Sequence, residues 1–337
     1  MNFVSVGDLS RIFTLRNANS NLRSDIQRLS QEVTTGVKSD IPKHLNGDLV
    51  EFAKIEHGLG QARAFRRVSS EAASTASSMQ AALGSLQDIS DTIAGGMLSD
   101  TSLAVNHTLK SVAISAASQL DSAISALNTS VGGRFVFSGA KVNVPAMTSA
   151  DDLIAQAQLA IAGAATPEDA IQRLNDWFDA APGGGGFADT AYQGSTDQVA
   201  EFGVDPSTTV RFAQTANDGA TRKILLGLTI GALVSKGAFD GDHAAQAQMM
   251  RAGGGALIEG NSAMALVRAD LGMTEQVIER SSVRQDTMLT NLQIERTNMI
   301  QADTYEAGSQ LIQAEAQLEA LFAMTARLSN LSLAKYL

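Results

Sequence analysis

Two long stretches of the chain, 43–144 and 256–337, contain no proline. Proline removes a backbone donor and clashes with the preceding helical turn, so these spans can hold helices far longer than the common three turns. Apolar residues in them step alternately by three and four, the spacing of a helix seam. Near the N-terminus Ile12, Asn19, Ile26 and Val33 hold one heptad position, and Leu15, Leu22 and Leu29 hold the complementary one. A lone Asn on such a seam selects register at a cost in stability. Near the C-terminus Leu311, Ala314, Leu318, Leu321, Thr325 and Leu328 repeat the pattern, and Leu333 and Leu337 extend the apolar surface.

Between these arms Phe65, Val68, Ala72, Thr75, Met79, Ala82, Leu86, Ile89 and Ile93 predict a helix over about 47–95, ended by Gly95-Gly96. Leu109, Ala113, Ala116, Leu120, Ala123 and Leu127 predict a third over 102–130, its small seam residues allowing close approach. Residues 274–333 read as one continuous stave, and a break at Thr34-Thr35-Gly36 through Pro42 ends the first helix. The fold class is therefore mainly α, with long N- and C-terminal helices forming an antiparallel coiled-coil bundle.

Four of the five prolines fall in 141–255, with the run Gly183 to Gly186 and 13 acidic against 7 basic residues. This segment reads as a small mixed α/β inserted domain facing outward. Thr166-Pro167-Glu168-Asp169 starts a helix with Ala170, Ile171, Leu174, Trp177 and Phe178 on one face. Strands are expected at 197–203 and 208–214, and a helix over about 220–235. The expected organisation is a terminal coiled-coil layer from 1–40 and 300–337, a helical bundle from 41–140 and 256–299, and the insert at 141–255.

Composition excludes several function classes. The net charge is -10, against a nucleic-acid partner, which needs a basic face. Cysteine is absent, which removes disulfides, thiolate metal sites and thiol catalysis. The longest apolar run, Ile224 to Val234, is about half of the ~20 residues a spanning helix needs, so no membrane insertion is expected. The opening residues have no basic segment followed by an apolar run, so no conventional signal peptide is expected. His44, His57, His107 and His243 show no metal-ligand spacing. Asp151-Asp152 and Glu168-Asp169 sit where acids complement a helix dipole. The glycine run matches no phosphate loop, and Arg63, Arg66 and Arg67 read as a solvated helix face. No catalytic, cofactor or metal residue is expected, and the chain reads as a non-enzyme.

Several segments resemble the hook-associated and flagellin family of flagellar axial proteins. Gln31 to Gly36 followed by Ser39-Asp40-Ile41-Pro42 resembles the family's S/T-T-G and S-D-D-P stretch, with Ile41 in place of the second Asp. Gly133-Arg134-Phe135-Val136-Phe137-Ser138-Gly139-Ala140 resembles G-R-Y-L-F-S-G-T. Arg268-Ala269-Asp270-Leu271-Gly272 is similar to R-A-x-x-G. Ile300 to Ala307 resembles I-x-D-A-D-Y-A-E-A, with Ala302 where the family has Asp. The ending Leu331-Ser332-Leu333-Ala334-Lys335-Tyr336-Leu337 is similar to the tail of members at the hook–filament junction. The resemblance implies a structural protein exported through the flagellar type III apparatus. It further implies an extracellular place between hook and filament, a ring of copies, neighbouring axial proteins as partners, and an export chaperone. A divergent flagellin, or a cytoplasmic coiled-coil adaptor with a ligand-binding insert, are the alternative readings.

Overall fold

The computed structural model describes residues 6–99, 106–196 and 200–333, with the backbone only for 6–9, 12, 106–108 and 328–333. The described chain is mainly α. It holds α1 (Val6–Thr35), α2 (Ile41–His44), α3 (Val50–Leu98), α4 (Asn106–Leu127), α5 (Ala150–Ala160), α6 (Pro167–Asp179) and α7 (Phe187–Thr190). Then come α8 (Gly219–Ser235), α9 (His243–Ile300) and α10 (Thr304–Leu333). Two antiparallel hairpins complete it: β1 (Ser130–Val131) with β2 (Arg134–Phe135), and β3 (Ala200–Asp205) with β4 (Thr208–Phe212).

Three helix boundaries differ from expectation for identifiable reasons. Gly95 and Gly96 do not end α3, which continues to Leu98. A Cβ on Gly96 would lie 3.2 Å from Val112 of α4, so this glycine permits a close helix approach instead of a stop. The C-terminal stave is interrupted at 301–303. There Asp303 caps α10, accepting from the Tyr305 and Glu306 amides at 2.9 and 3.0 Å. Finally, α9 begins at His243 and runs without interruption through 255/256.

Elsewhere the local chemistry acts as read. Gly36 takes φ +68° and closes α1, its amide donating to the Glu32 carbonyl. Thr166 caps α6, whose Ala170, Leu174 and Phe178 are buried. Val210 and Phe212 point inward from β4, and residues 197–199 of the expected first strand lie outside the described residues.

The compact units divide the chain elsewhere than at 140/141 and 255/256. One is Met1–Arg63 with Asp286–Leu337, and the other is Ala64–Gln285. In the second unit a single core joins Ala72 to Met97 of α3, α4, α5, α6, the β3–β4 hairpin, α8 and α9 as far as Ile278. Its centre is α8, buried continuously from Ile224 to Val234. Glycines let α8 sit there: a Cβ on Gly227 would meet the Gly253 carbonyl of α9 at 2.6 Å, and one on Gly231 the Ala116 Cβ of α4 at 2.5 Å. Alongside, α3 and α9 run antiparallel under polar ties. Gln80 donates to the Arg268 carbonyl (2.9 Å), Gln87 to Asn261 Oδ1 (2.9 Å) and Ser90 to the Leu257 carbonyl (2.9 Å).

Candidate assembly surface

In the first unit α1 packs antiparallel on α10. Leu29, Ala307 and Ala314 are buried at the contact, with Leu22, Ile26, Val33 and Leu311 packed around them. Of the residues expected on the seams, the structure thus brings together Leu22, Ile26, Leu29, Val33 and Leu311. Leu15, Asn19 and Leu321 line a groove farther along the same pair, with Phe322 and Thr325. Leu318 is half-buried. The side chains of Ile12, Leu328 and Leu333, and all of Leu337, lie outside the described residues.

A built joint anchors one end of this coil. Val37 and Gln301 form an antiparallel bridge, with Lys38 donating to the Ile300 carbonyl (2.8 Å) and Ala302 to that of Gly36 (2.9 Å). Inside the joint Glu32 is only 2% exposed. Its carboxylate accepts from Arg28 (3.1 Å), Lys38 (3.4 Å) and the Ser39 amide (3.3 Å). Burial acts to raise its pKa, but the Ser39 amide, Arg28 and Lys38 outweigh it and hold Glu32 below the ordinary carboxylate value. The T-T-G and S-D-I-P residues are therefore the wall of this joint. Asp40 caps α2 through the Lys43 amide at 3.1 Å.

Beyond the joint the unit is completed by the start of α3 and the end of α9. Ile55, Leu59, Ala62 and Leu289 are buried together, with Leu292 and Met299 against them. Glu56 and Arg296 pair across this contact. None of these residues was singled out as a site in the sequence, because Ile55 and Leu59 fall before the seam there becomes regular.

In the second unit the G-R-F-V-F-S-G-A residues form a packing node. Gly132 and Gly133 turn β1 into β2 at φ +58° and +78°, and Phe137 is fully buried. The Phe137 carbonyl accepts from the Ala216 amide (3.1 Å) and that of Ser138 from Ser195 (2.9 Å). Arg134 pairs with Glu71 at 3.0 Å and lies 5.8 Å from the Phe202 ring centroid. Tyr192 donates to the Ser195 carbonyl at 3.0 Å, and burial pushes its phenol up to about 12. The Gly183–Gly186 loop wraps its own anion: the Gly183 and Gly185 amides donate to Asp189 at 2.8 and 2.7 Å. Among the described residues no group of three or more His, Asp or Glu could hold a metal ion. No helix among them is long and apolar enough to cross a membrane.

A solved structure resembles the chain. It is described as a "putative flagellar hook-associated protein" from Vibrio parahaemolyticus, 12% identical with a TM-score of 0.41, matched over 72% of this chain and 96% of that one. No protein-family model and no curated protein matches.

The R-A-x-x-G segment has its own structural duty. Arg268 donates from Nε to Gln80 Oε1 at 3.1 Å and also reaches Gln87 of α3, so one guanidinium ties two turns of the facing helix. Gly84 lies beside it, where a Cβ would stand in ordinary van der Waals contact at 3.6 Å from the Arg268 Nη2.

Proposed function

We propose that this chain is a structural, non-enzymatic subunit of the bacterial flagellum, of the hook-associated kind. In this reading it joins hook to filament as a ring of copies after export by the flagellar type III apparatus. The observation that carries the reading is the pairing of the two ends of the sequence. α1 and α10 form one antiparallel coil on an apolar seam, closed by a joint made of the family-like T-T-G and S-D-I-P residues. A thin two-helix rod with few buried residues suits a part that completes its packing against other chains. The S-G-A node and Arg268 supply the family-like residues elsewhere, each with a packing role.

The test is position on the organelle. Gold-labelled antibody against the chain is expected at the base of the filament on isolated flagella, and a null strain is expected to shed filament subunits into the medium. Label along the whole filament, long homopolymers of the purified chain, or cytosolic fractionation would each sink the reading.

A further inference from the structure

The α1–α10 coil changes sign along its length. In a chain of net charge -10, residues 9–24 and 320–333 hold Arg11, Arg16, Arg23 and Arg327 and no acid. Residues 25–40 and 301–319 hold seven acids against Arg28 and Lys38. Among the described residues Arg16, Arg23, Glu315 and Glu319 are exposed and enter no ion pair within the chain.

Arg16 and Arg23 stand on the rim of a groove of about 410 Å³ formed by the two helices. Its apolar lining is Leu15 of α1 with Leu321 and Phe322 of α10. Phe322 is 47% exposed, and the Arg23 guanidinium lies 5.9 Å from its ring centroid. Phe13, three residues before Arg16, is 67% exposed, and Ile312, three before Glu315, is 69% exposed. A solvated face accounts for the arginines alone. It does not account for three large apolar side chains left open on the same helix rows.

The contact with Phe322 fixes the level of Arg23 along α10. Arg16 then lies about 10 Å to one side along the coil, and Glu319 and Glu315 about 5 Å and 10 Å to the other, at 1.5 Å per residue. The groove is therefore positive over one stretch and negative beyond it. A second copy does not match it, because a two-fold that stacks this face on itself sets α1 on α1 and Arg23 on Arg23. A groove between two helices takes a third helix, with apolar side chains in its floor and charged ones on its rim.

We propose that this groove docks an amphipathic helix of a different protein, one that carries two acids about two turns apart followed by basic residues. Its apolar face covers Leu15, Leu321 and Phe322. Its acids meet Arg16 and Arg23, and its bases meet Glu319 and Glu315. These pairs set direction and register more than affinity. The inference rests on the coil surface alone and goes beyond the flagellar reading, which stands or falls on localisation.

Fluorescence anisotropy of a labelled peptide, titrated with the purified full chain, tests it. The peptide is a leucine–alanine amphipathic helix with two glutamates seven residues apart and lysines three and seven residues after the second. It is expected to bind, and added salt to weaken the complex. Versions with lysine at all four positions, or glutamate at all four, are expected to bind at least tenfold more weakly. The variant Arg16→Glu/Arg23→Glu is expected to prefer the all-lysine version, and Glu315→Arg/Glu319→Arg the all-glutamate version. Binding of the matched peptide also shows that each variant is folded. No binding of the mixed peptide, equal binding of the three peptides, or failure of both variants to change preference would overturn the proposal. So would a wild-type dimer that the arginine variant abolishes, or displacement of the peptide by vesicles of anionic lipid.

Discussion

Glycine in a helix has two opposite meanings here. A Cβ on Gly227 would lie 2.6 Å from the Gly253 carbonyl, whereas one on Gly255, also helical, meets nothing within 4 Å. Gly227→Ala is therefore expected to destabilise by about 1–3 kcal/mol through overpacking. Gly255→Ala is expected to stabilise by about 1 kcal/mol by removing backbone entropy from the unfolded chain. Denaturant midpoints of the two variants check both signs. A single sequence does not distinguish a turn glycine such as those of the Gly183–Gly186 run from one, such as Gly227, that admits a neighbouring helix. Glu32 belongs to the same scale. Its folded pKa lies below the unfolded value, so its contribution is present above the ordinary carboxylate value and is lost as pH falls through the lowered one. The Ser39 amide is expected to lose exchange protection only at a pH below the ordinary carboxylate value, and Glu32→Gln to remove most of that pH dependence. The T-T-G residues were visible in the sequence. The burial of Glu32, two residues before Thr34, was not, because a Glu between Arg28 and Lys38 reads as surface.

Among the elements, α8 and the α1–α10 coil are at opposite extremes of burial. The first is buried along its apolar run, and the second buries only Leu29, Glu32, Ala307 and Ala314 among its described side chains. Amide exchange is expected to be slowest in α8 and fastest in α1 and α10, measured on the monomer by mass spectrometry. Uniform protection across the three helices would contradict it. The start of α10 is separately testable. Asp303 accepts two amides, so Asp303→Ala is expected to cost about 1 kcal/mol, with fraying confined to the first turn of α10. The seams of both arms and the capped start of α6 were legible in the sequence because period and caps are local signals. The break at 301–303 was not. No Gly or Pro marks it, and its cause is a bridge to Val37, distant in sequence. The helix expected over about 220–235 is present as α8, but its place at the centre of the core was not legible, because a helix buried on all sides has no period to show an inward face.

At the scale of the molecule, the core of the second unit passes through residues that the sequence assigned to different domains. Proline, glycine and acid content described the surface of 141–255, while α8 within it packs on α4 and α9. A chain lacking 146–250 is therefore expected to lose the cooperative melting of α3, α4 and α9, followed by circular dichroism. Retention of a sharp transition would mean that those helices hold without α8. The joint between Gly36 and Ala302 also has a kinetic meaning. Closing it directly from the open chain costs about 5 kcal/mol of loop entropy for so long a loop. If the Gln80, Gln87 and Ser90 ties form first, the span left to close between Gly36 and Ala302 is shorter and its entropy cost smaller. The coil is thus expected to be the last part of the chain to zip and the first to open, which time-resolved amide exchange during refolding checks.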